Sequence, residues 1–311
     1  MVDQFVAAPP GRGLVRPGLT RRHVIRGLGG LALAGMATTA YGIGVEPESV
    51  SVTRYRLTPP RWPPGQRLSI HVIADLHAGG PNMTARHINE VVEIANLESA
   101  DLVLLLGDYF ATHRFVTERV PPPVWAAALA RLESRLGTWA VFGNHDWWHD
   151  IAGVRAAFGR VGIPTLENRA VLLGNSGRQF WLAGLGDQLA WMAARRIRTV
   201  PRIGVDDLGA TLAKVTDSAP VILLAHEPDI ASRVPARVAL QLSGHTHGGQ
   251  VRLFGWVPAA PSGRELAYGH IRGNCDVVVS GGLGCSIMPV RLGVPPEIVL
   301  VTLGGRGPQV A

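Results

Sequence analysis

Five short apolar runs in this chain each end in polar side chains of the kind that ligate cations. Ile73-Ala74 leads into Asp75-Leu76-His77, Leu104 to Leu106 into Gly107-Asp108, and Val141-Phe142 into Gly143-Asn144-His145-Asp146. Leu223 to Ala225 leads into His226, and Gln241 to Ser243 into Gly244-His245-Thr246-His247. Taken singly, Asp-x-His and Gly-Asp are ordinary turn chemistry, and a lone His226 reads as a satisfied core histidine. Gly-His-Thr-His says more, because alternation along an extended segment sets both imidazoles on one side. All five together, each at the end of an apolar run, describe a cleft assembled by non-local contacts. Imidazole, carboxylate and amide donors without a thiolate suit Mn, Fe, Co or Zn, and ligand type does not choose among them.

The runs that carry these groups read as buried strands: Leu68 to Ala74, Leu102 to Leu106, Thr138 to Phe142, Phe180 to Ala183, Val221 to Ala225 and Val238 to Leu242. Helical spacing covers Thr84 to Leu97, with Thr84 as its cap, and Val124 to Leu136, Ile151 to Arg160 and Asp206 to Val215. Gln250 to Phe254, Asp276 to Ser280 and Glu297 to Leu303 read as further strands between Gly-rich turns. Strands alternating with helices predict a layered α/β domain over residues 67–311, with sheet buried on both sides. Ligand sites in such domains form outside the carboxyl ends of the strands, where these motifs stand.

The 311 residues are 47% hydrophobic and 17% charged, a balance that excludes a disordered chain and predicts a folded body. The formal charge of +7 is concentrated at the front, where Arg12, Arg16, Arg21, Arg22 and Arg26 face one acid, Asp3, within residues 1–45. The body is left with a modest surplus, so no nucleic-acid partner is expected. Two cysteines, Cys275 and Cys285, make neither a disulfide scaffold nor a zinc finger; they read as small buried hydrophobes that could pair if exported.

Residues 1–45 form a basic leader. Thr20-Arg21-Arg22-His23-Val24-Ile25-Arg26 precedes 19 uncharged residues, Gly27 to Val45, six of them glycine. Paired arginines before a weakly apolar run resemble a twin-arginine export signal, although His23, Val24 and Arg26 depart from its commoner choices. A membrane anchor and a disordered basic tail are the other readings. The expected location is exported or membrane-associated through this leader, with the cytoplasmic membrane face as the alternative. Residues 46–66, which include Pro59-Pro60-Arg61-Trp62-Pro63-Pro64-Gly65, read as a Pro-rich linker or a first strand.

The five motifs in this order resemble the calcineurin-like metallophosphoesterase superfamily across residues 68–303. Gly281-Gly282-Leu283-Gly284-Cys285-Ser286-Ile287-Met288-Pro289-Val290-Arg291, followed by Val294-Pro295-Pro296-Glu297-Ile298, resembles a bacterial branch with twin-arginine or membrane leaders. The resemblance implies two packed β-sheets flanked by helices, a four-layer sandwich. It implies two divalent transition-metal ions, the first on Asp75, His77 and His247, the second on Asn144, His226 and His245, with Asp108 bridging. It also implies hydrolysis of a phosphodiester or pyrophosphate by in-line attack of a metal-bridging hydroxide. His145 is then catalytic, facing the phosphate. Relatives often orient this histidine with an acid three residues after the bridging Asp, where this chain has Ala111, and Asp146 is the neighbouring candidate.

A phospholipid or nucleotide-linked headgroup, met at a membrane surface, is the expected class of phosphate ester. Trp147, Trp148, His149 and His113 follow the motif-bearing strands and are read as cleft-lining or core residues. Arg291 and Arg264 are read as surface cations or phosphate contacts. A phosphomonoesterase and a non-catalytic metal-binding scaffold of the same fold are the alternatives. A scaffold predicts lost ligands, and all seven positions are filled; a single-metal protein using only the histidines leaves Asp75, Asp108 and Asn144 unexplained.

Overall fold

The computed structural model describes residues 20–192, 203–259 and 261–304. Two units are distinguished, residues 1–40 and 41–311. From residue 21 on, the first belongs to helix α1 (Arg21–Gly44), which is long and apolar enough to cross a membrane.

The second unit holds two mixed sheets. The first, in spatial order, is β1 (Ser51–Leu57), β11 (Glu297–Leu303), β2 (Leu68–Ile73), β3 (Leu102–Leu105) and β4 (Thr138–Ala140). β2, β3 and β4 run parallel, with β2 antiparallel to β11. The second sheet has the order β5 (Arg169–Leu173), β6 (Phe180–Gly184), β7 (Val221–Leu224), β8 (Val238–Ser243), β10 (Asp276–Val279), β9 (Gly269–Arg272). Its four central strands β6, β7, β8 and β10 are parallel.

Two-residue alternation along the strands sorts the core into layers. Leu102 and Leu104 of β3 point between the sheets, where they meet Ile70, Val72, Leu182, Ile222, Leu240 and Val301. Val103 and Leu105 of the same strand point outward and pack with Ile88, Val91, Trp125 and Phe158. Those four come from α2 (Ala85–Asn96), α3 (Pro122–Leu129) and α5 (Ile151–Val161). Leu223, Val277 and Val279 face outward from the second sheet toward Val215 and Ile230, near α6 (Leu208–Ala213). The result is the expected helix–sheet–sheet–helix sandwich.

Thr84 caps α2, its hydroxyl accepting the His87 N–H. Two local expectations are corrected. The helix expected through Leu136 ends at Leu129, where the chain tightens into turns (Arg131 N to Ala128 O, 3.1 Å; Leu132 N to Leu129 O, 3.1 Å). Gln250 to Phe254 is not a strand, because Gln250 (φ 54°) and Phe254 (φ 48°) are left-handed and interrupt the extended backbone. Gly-Asn-His-Asp, which follows β4, opens a short helix, α4 (Asn144–His149). Within residues 46–66, Ser51–Leu57 is the edge strand β1.

Candidate metal centre

The carboxyl ends of β2, β3 and β4 bring up Asp75, His77, Asp108 and Asn144, and those of β7 and β8 bring up His226, His245 and His247. Each sheet therefore supplies part of one cluster. Six of these seven side chains are buried and His245 is half-buried. The ladder continues past β2 and β3 to hold the first motifs in register: Asp75 N–H donates to Gly107 O (3.1 Å) and His77 N–H to Asp108 O (2.9 Å).

Five of the seven have positive φ: Asp75 (51°), His77 (42°), Asp108 (56°), His245 (71°) and His247 (52°). Non-glycine residues rarely adopt this region, and strain of that kind concentrates where function over-determines the backbone. It also corrects the reading of Gly-His-Thr-His as extended. His245 and His247 turn inward by left-handed kinks, and His247 opens a 3₁₀ turn through Gly249. Close packing removes side chains between the motifs. At Gly143 an added Cβ would strike Asp108 Oδ1, and at Gly282 (φ +67°) it would lie 2.6 Å from Asp75 Cβ.

The donor atoms fall into overlapping groups. Asp75, His77 and His247 place one ligand atom each within 4.8 Å of one another, as do Asp108, His226 and His245. Asp108 Oδ2 lies 3.6 Å from His77 Nε2 and 3.2 Å from His226 Nε2, between the groups. Asn144 Oδ1 is 2.9 Å from His245 Nδ1, which sets the amide against the second group. His145 Nε2 is 3.9 Å from Asp108 Oδ2, near both groups.

Backbone carbonyls fix the tautomers. His77 Nδ1–H donates to Phe110 O (2.7 Å) and His226 Nδ1–H to Leu106 O (2.6 Å), so each Nε2 lone pair faces inward. His226 Nε2 is buried without a hydrogen-bond partner, although Asp108 Oδ2 is close. An inward acceptor set of this composition fits divalent transition cations, which replace protons at such atoms.

The electrostatics agree with that fit. Burial pushes Asp75 up to about 7, with the Asp108 charge adding to it. Burial lowers His77 to about 3, against the pull of Asp108. For His226, burial opposes charge, yet the adjoining Asp108 carboxylate raises it well above the usual imidazole range. The upward shifts of Asp75 and His226 mark places where positive charge is favoured.

Of the surrounding residues, Thr112, Glu227 and Asp187 had not stood out in the sequence. Asp146 is turned away from His145: its carboxylate accepts the N–H groups of Asp108 (3.0 Å), Tyr109 (2.8 Å) and Gly143 (2.9 Å), tying the β3 and β4 loops together. Thr112 Oγ1 hydrogen-bonds His145 Nδ1 instead. Glu227 and Asp187 form a buried acidic pair beside His226, with Gln188 N–H donating to Glu227 Oε2 (3.1 Å). Only Asp146 had a sequence signal, its place inside the Gly-Asn-His-Asp motif.

Arg291 is the clearest correction. It is not a surface cation: it is fully buried and donates to the carbonyls of Gly281 (2.8 Å), Gly282 (3.1 Å), Gly284 (2.6 Å) and Val294 (3.0 Å). The loop it clamps lies on the first motif, Leu283 N–H donating to Ala74 O (3.0 Å) and Gly284 N–H to Asp75 O (2.7 Å). Arg264 is exposed. Trp148 lies against the His145 ring (5.0 Å), whereas Trp147 packs on Trp191 (5.0 Å) and under the Arg155 guanidinium (5.0 Å). His149 is exposed beside Phe110. Burial and the neighbouring His145 lower His113 below its usual value. Cys275 and Cys285 are both buried free thiols.

Residues 68–249 match the family model described as calcineurin-like phosphoesterase. The chain is 28% identical, over 92% of its length and 98% of the relative's, to a metallophosphoesterase of Bacillus subtilis (strain 168). It is 29% identical to one of Aquifex aeolicus (strain VF5), over 82% of this chain and 92% of that one. A Bos taurus protein named transmembrane protein with metallophosphoesterase domain is 29% identical over 96% of this chain and 67% of its own. The family is metal-dependent and hydrolyses phosphoric esters, and the clustered Asp and His donors fit that chemistry. The chain belongs to the calcineurin-like phosphoesterases.

Proposed function

We propose that this phosphoesterase cleaves a phosphodiester or pyrophosphate at a two-metal centre. Asp75, His77 and His247 would hold one cation and Asn144, His226 and His245 the other, with Asp108 available to both. The observation that carries this reading is the position of Asp108 Oδ2, 3.6 Å from an imidazole of one group and 3.2 Å from an imidazole of the other. When bound, such a cation pair polarises phosphoryl oxygens and acidifies water.

The chain's own residues position the reaction. Asp108 Oδ1 accepts the His145 N–H (2.8 Å), so the carboxylate also fixes the backbone of its neighbour. His145 presents Nε2 to the cleft while Thr112 holds Nδ1. From there the imidazole hydrogen-bonds a phosphoryl oxygen or delivers a proton to the leaving oxygen. Helix α1 exports the enzyme or holds it at a membrane, a reading supported by its length and apolarity and by the name of the bovine relative.

The test replaces Asp108 with Asn and follows hydrolysis of an aryl phosphodiester with added Mn, Fe, Zn or Co. Loss of about 100-fold or more in kcat, with an unchanged circular dichroism spectrum, is expected. A fully active variant overturns the assignment. The same assay run on aryl phosphomonoesters separates the diesterase reading from a monoesterase.

A further inference from the structure

Beside the metal centre two loops carry large apolar side chains that are exposed among the described residues. Phe254 is 108% exposed, Ile287 77%, Trp256 57% and Met288 51%. The loops are fastened to one another. Gln250 Nε2 donates to Met288 O and Val290 O (3.0 Å each), and Ser286 N–H donates to Gln250 Oε1 (2.6 Å). Leu292 N–H donates to Gln250 O (2.9 Å) and Arg252 N–H to Leu292 O (2.7 Å).

Phe254 sits at the tip of a tight turn, closed by Leu253 N–H to Trp256 O (3.0 Å) and Trp256 N–H to Leu253 O (2.8 Å). Its left-handed φ of 48° is costly for an aromatic residue and serves here to project the ring outward. The second loop reaches the site itself, since Ser286 Oγ is 3.5 Å from His145 Nε2.

Two observations identify what covers this surface. The first is where α1 ends. Arg291 N–H donates to Gly42 O (2.9 Å), and Gly42 is buried against Val290, Arg291 and Leu292. Met288 is thus about 10 Å of chain from the final turn of a helix able to cross a membrane. That distance is comparable to the headgroup layer of a bilayer. The second is charge. Neither residues 250–264 nor residues 281–296 contain an Asp or Glu, while Arg252 and Arg264 flank the aromatic tip. Asp229, which accepts from Ser262, and Glu265 lie at the far end of the first stretch, so the aromatic tip itself, with Arg252 two residues before Phe254, matches the boundary between acyl chains and anionic headgroups.

We propose that these paired loops dock the mouth of the metal centre onto an anionic lipid bilayer, with Phe254, Trp256, Ile287 and Met288 entering the headgroup boundary. The docking rests on exposure, charge and the Gly42 contact. Its consequence, that the phosphate ester is borne by a lipid in that surface, rests on the hydrolase reading above.

The full chain in vesicles of phosphatidylcholine and phosphatidylglycerol tests both parts separately. Phe254→Cys accepts an environment-sensitive fluorophore, the native cysteines being buried. Leu97→Cys is the control: Leu97 is 83% exposed and precedes β3, at the opposite end of the strands from the metal centre. Lipid-borne nitroxide is expected to quench the label at 254 several-fold more than the label at 97. Equal quenching at both positions, or self-quenching at 254 that ignores lipid, overturns the docking, the latter in favour of a second copy of the chain.

For activity, Phe254→Ser with Trp256→Ser should lower hydrolysis of phospholipid in the vesicles by about tenfold while a soluble aryl phosphodiester is cleaved as before. Equal loss on both substrates, or no loss on either, overturns the substrate class. If the unaltered chain cleaves no phosphoester, the hydrolase reading fails while the quenching still decides the docking.

Discussion

Thr112 Oγ1 is the hydrogen-bond partner of His145 Nδ1, in the place where a carboxylate was the expected orienting group. A hydroxyl can donate or accept, so it holds the ring in place without demanding one tautomer. It also brings no negative charge, and burial is free to lower the imidazole below its usual value, against the opposing pull of Asp108.

Removing that hydroxyl should separate orientation from binding. Thr112→Ala is expected to lower kcat for an aryl phosphodiester roughly tenfold with KM little changed, against about 100-fold or more for His145→Ala. Circular dichroism and metal content should be unaltered in both. Equal kcat in Thr112→Ala and the parent enzyme contradicts an orienting role.

Arg291 offers a stability test. Its guanidinium satisfies four buried carbonyls in the loop that covers Asp75 and His77, and no acid forms a salt bridge with it among the described residues. Arg291→Met keeps the bulk but strands those oxygens, at a net cost of about 2–4 kcal/mol. Arg291→Lys should fall between, because an ammonium lacks the planar fork. Denaturant midpoints measure both, and a midpoint unchanged in Arg291→Met contradicts the clamp.

The buried thiols give a pH prediction. Burial pushes Cys275 up to about 11, with Asp276 adding to it. The reactive thiolate is therefore scarce at pH 8, and raising the pH through about 11 is the direction that exposes it. Burial also raises Cys285, although Arg291 opposes it. Native protein should resist iodoacetamide at pH 8 and react at both cysteines once unfolded. Fast alkylation of the native protein at pH 8 runs against this.

Much of this architecture could be read from residue order because its signals are local. Leu102 to Leu105 is an uninterrupted apolar run, which suits a strand covered on both faces, and Gly107-Asp108 marks where it ends. The seven candidate ligands stand at such ends, and their convergence follows from parallel strands pointing the same way. What stayed hidden depends on contacts distant in sequence. Thr112 is an ordinary threonine until β4 brings His145 to it, 33 residues on. Arg291 looks like a surface cation because nothing nearby in sequence is acidic; its partners are carbonyls, which composition does not display. Gly-His-Thr-His misled by its alternation, since positive φ at His245 and His247 does what extension was expected to do.

The central claim is that Asp108 joins two cation sites. Metal analysis of the active full chain, titrated with Mn, Fe, Zn or Co while aryl phosphodiester hydrolysis is followed, tests it directly. Activity should rise to its plateau only as occupancy approaches two ions per chain, and Asp108→Asn should hold fewer. Full activity with a single stable ion per chain would contradict the bridged site.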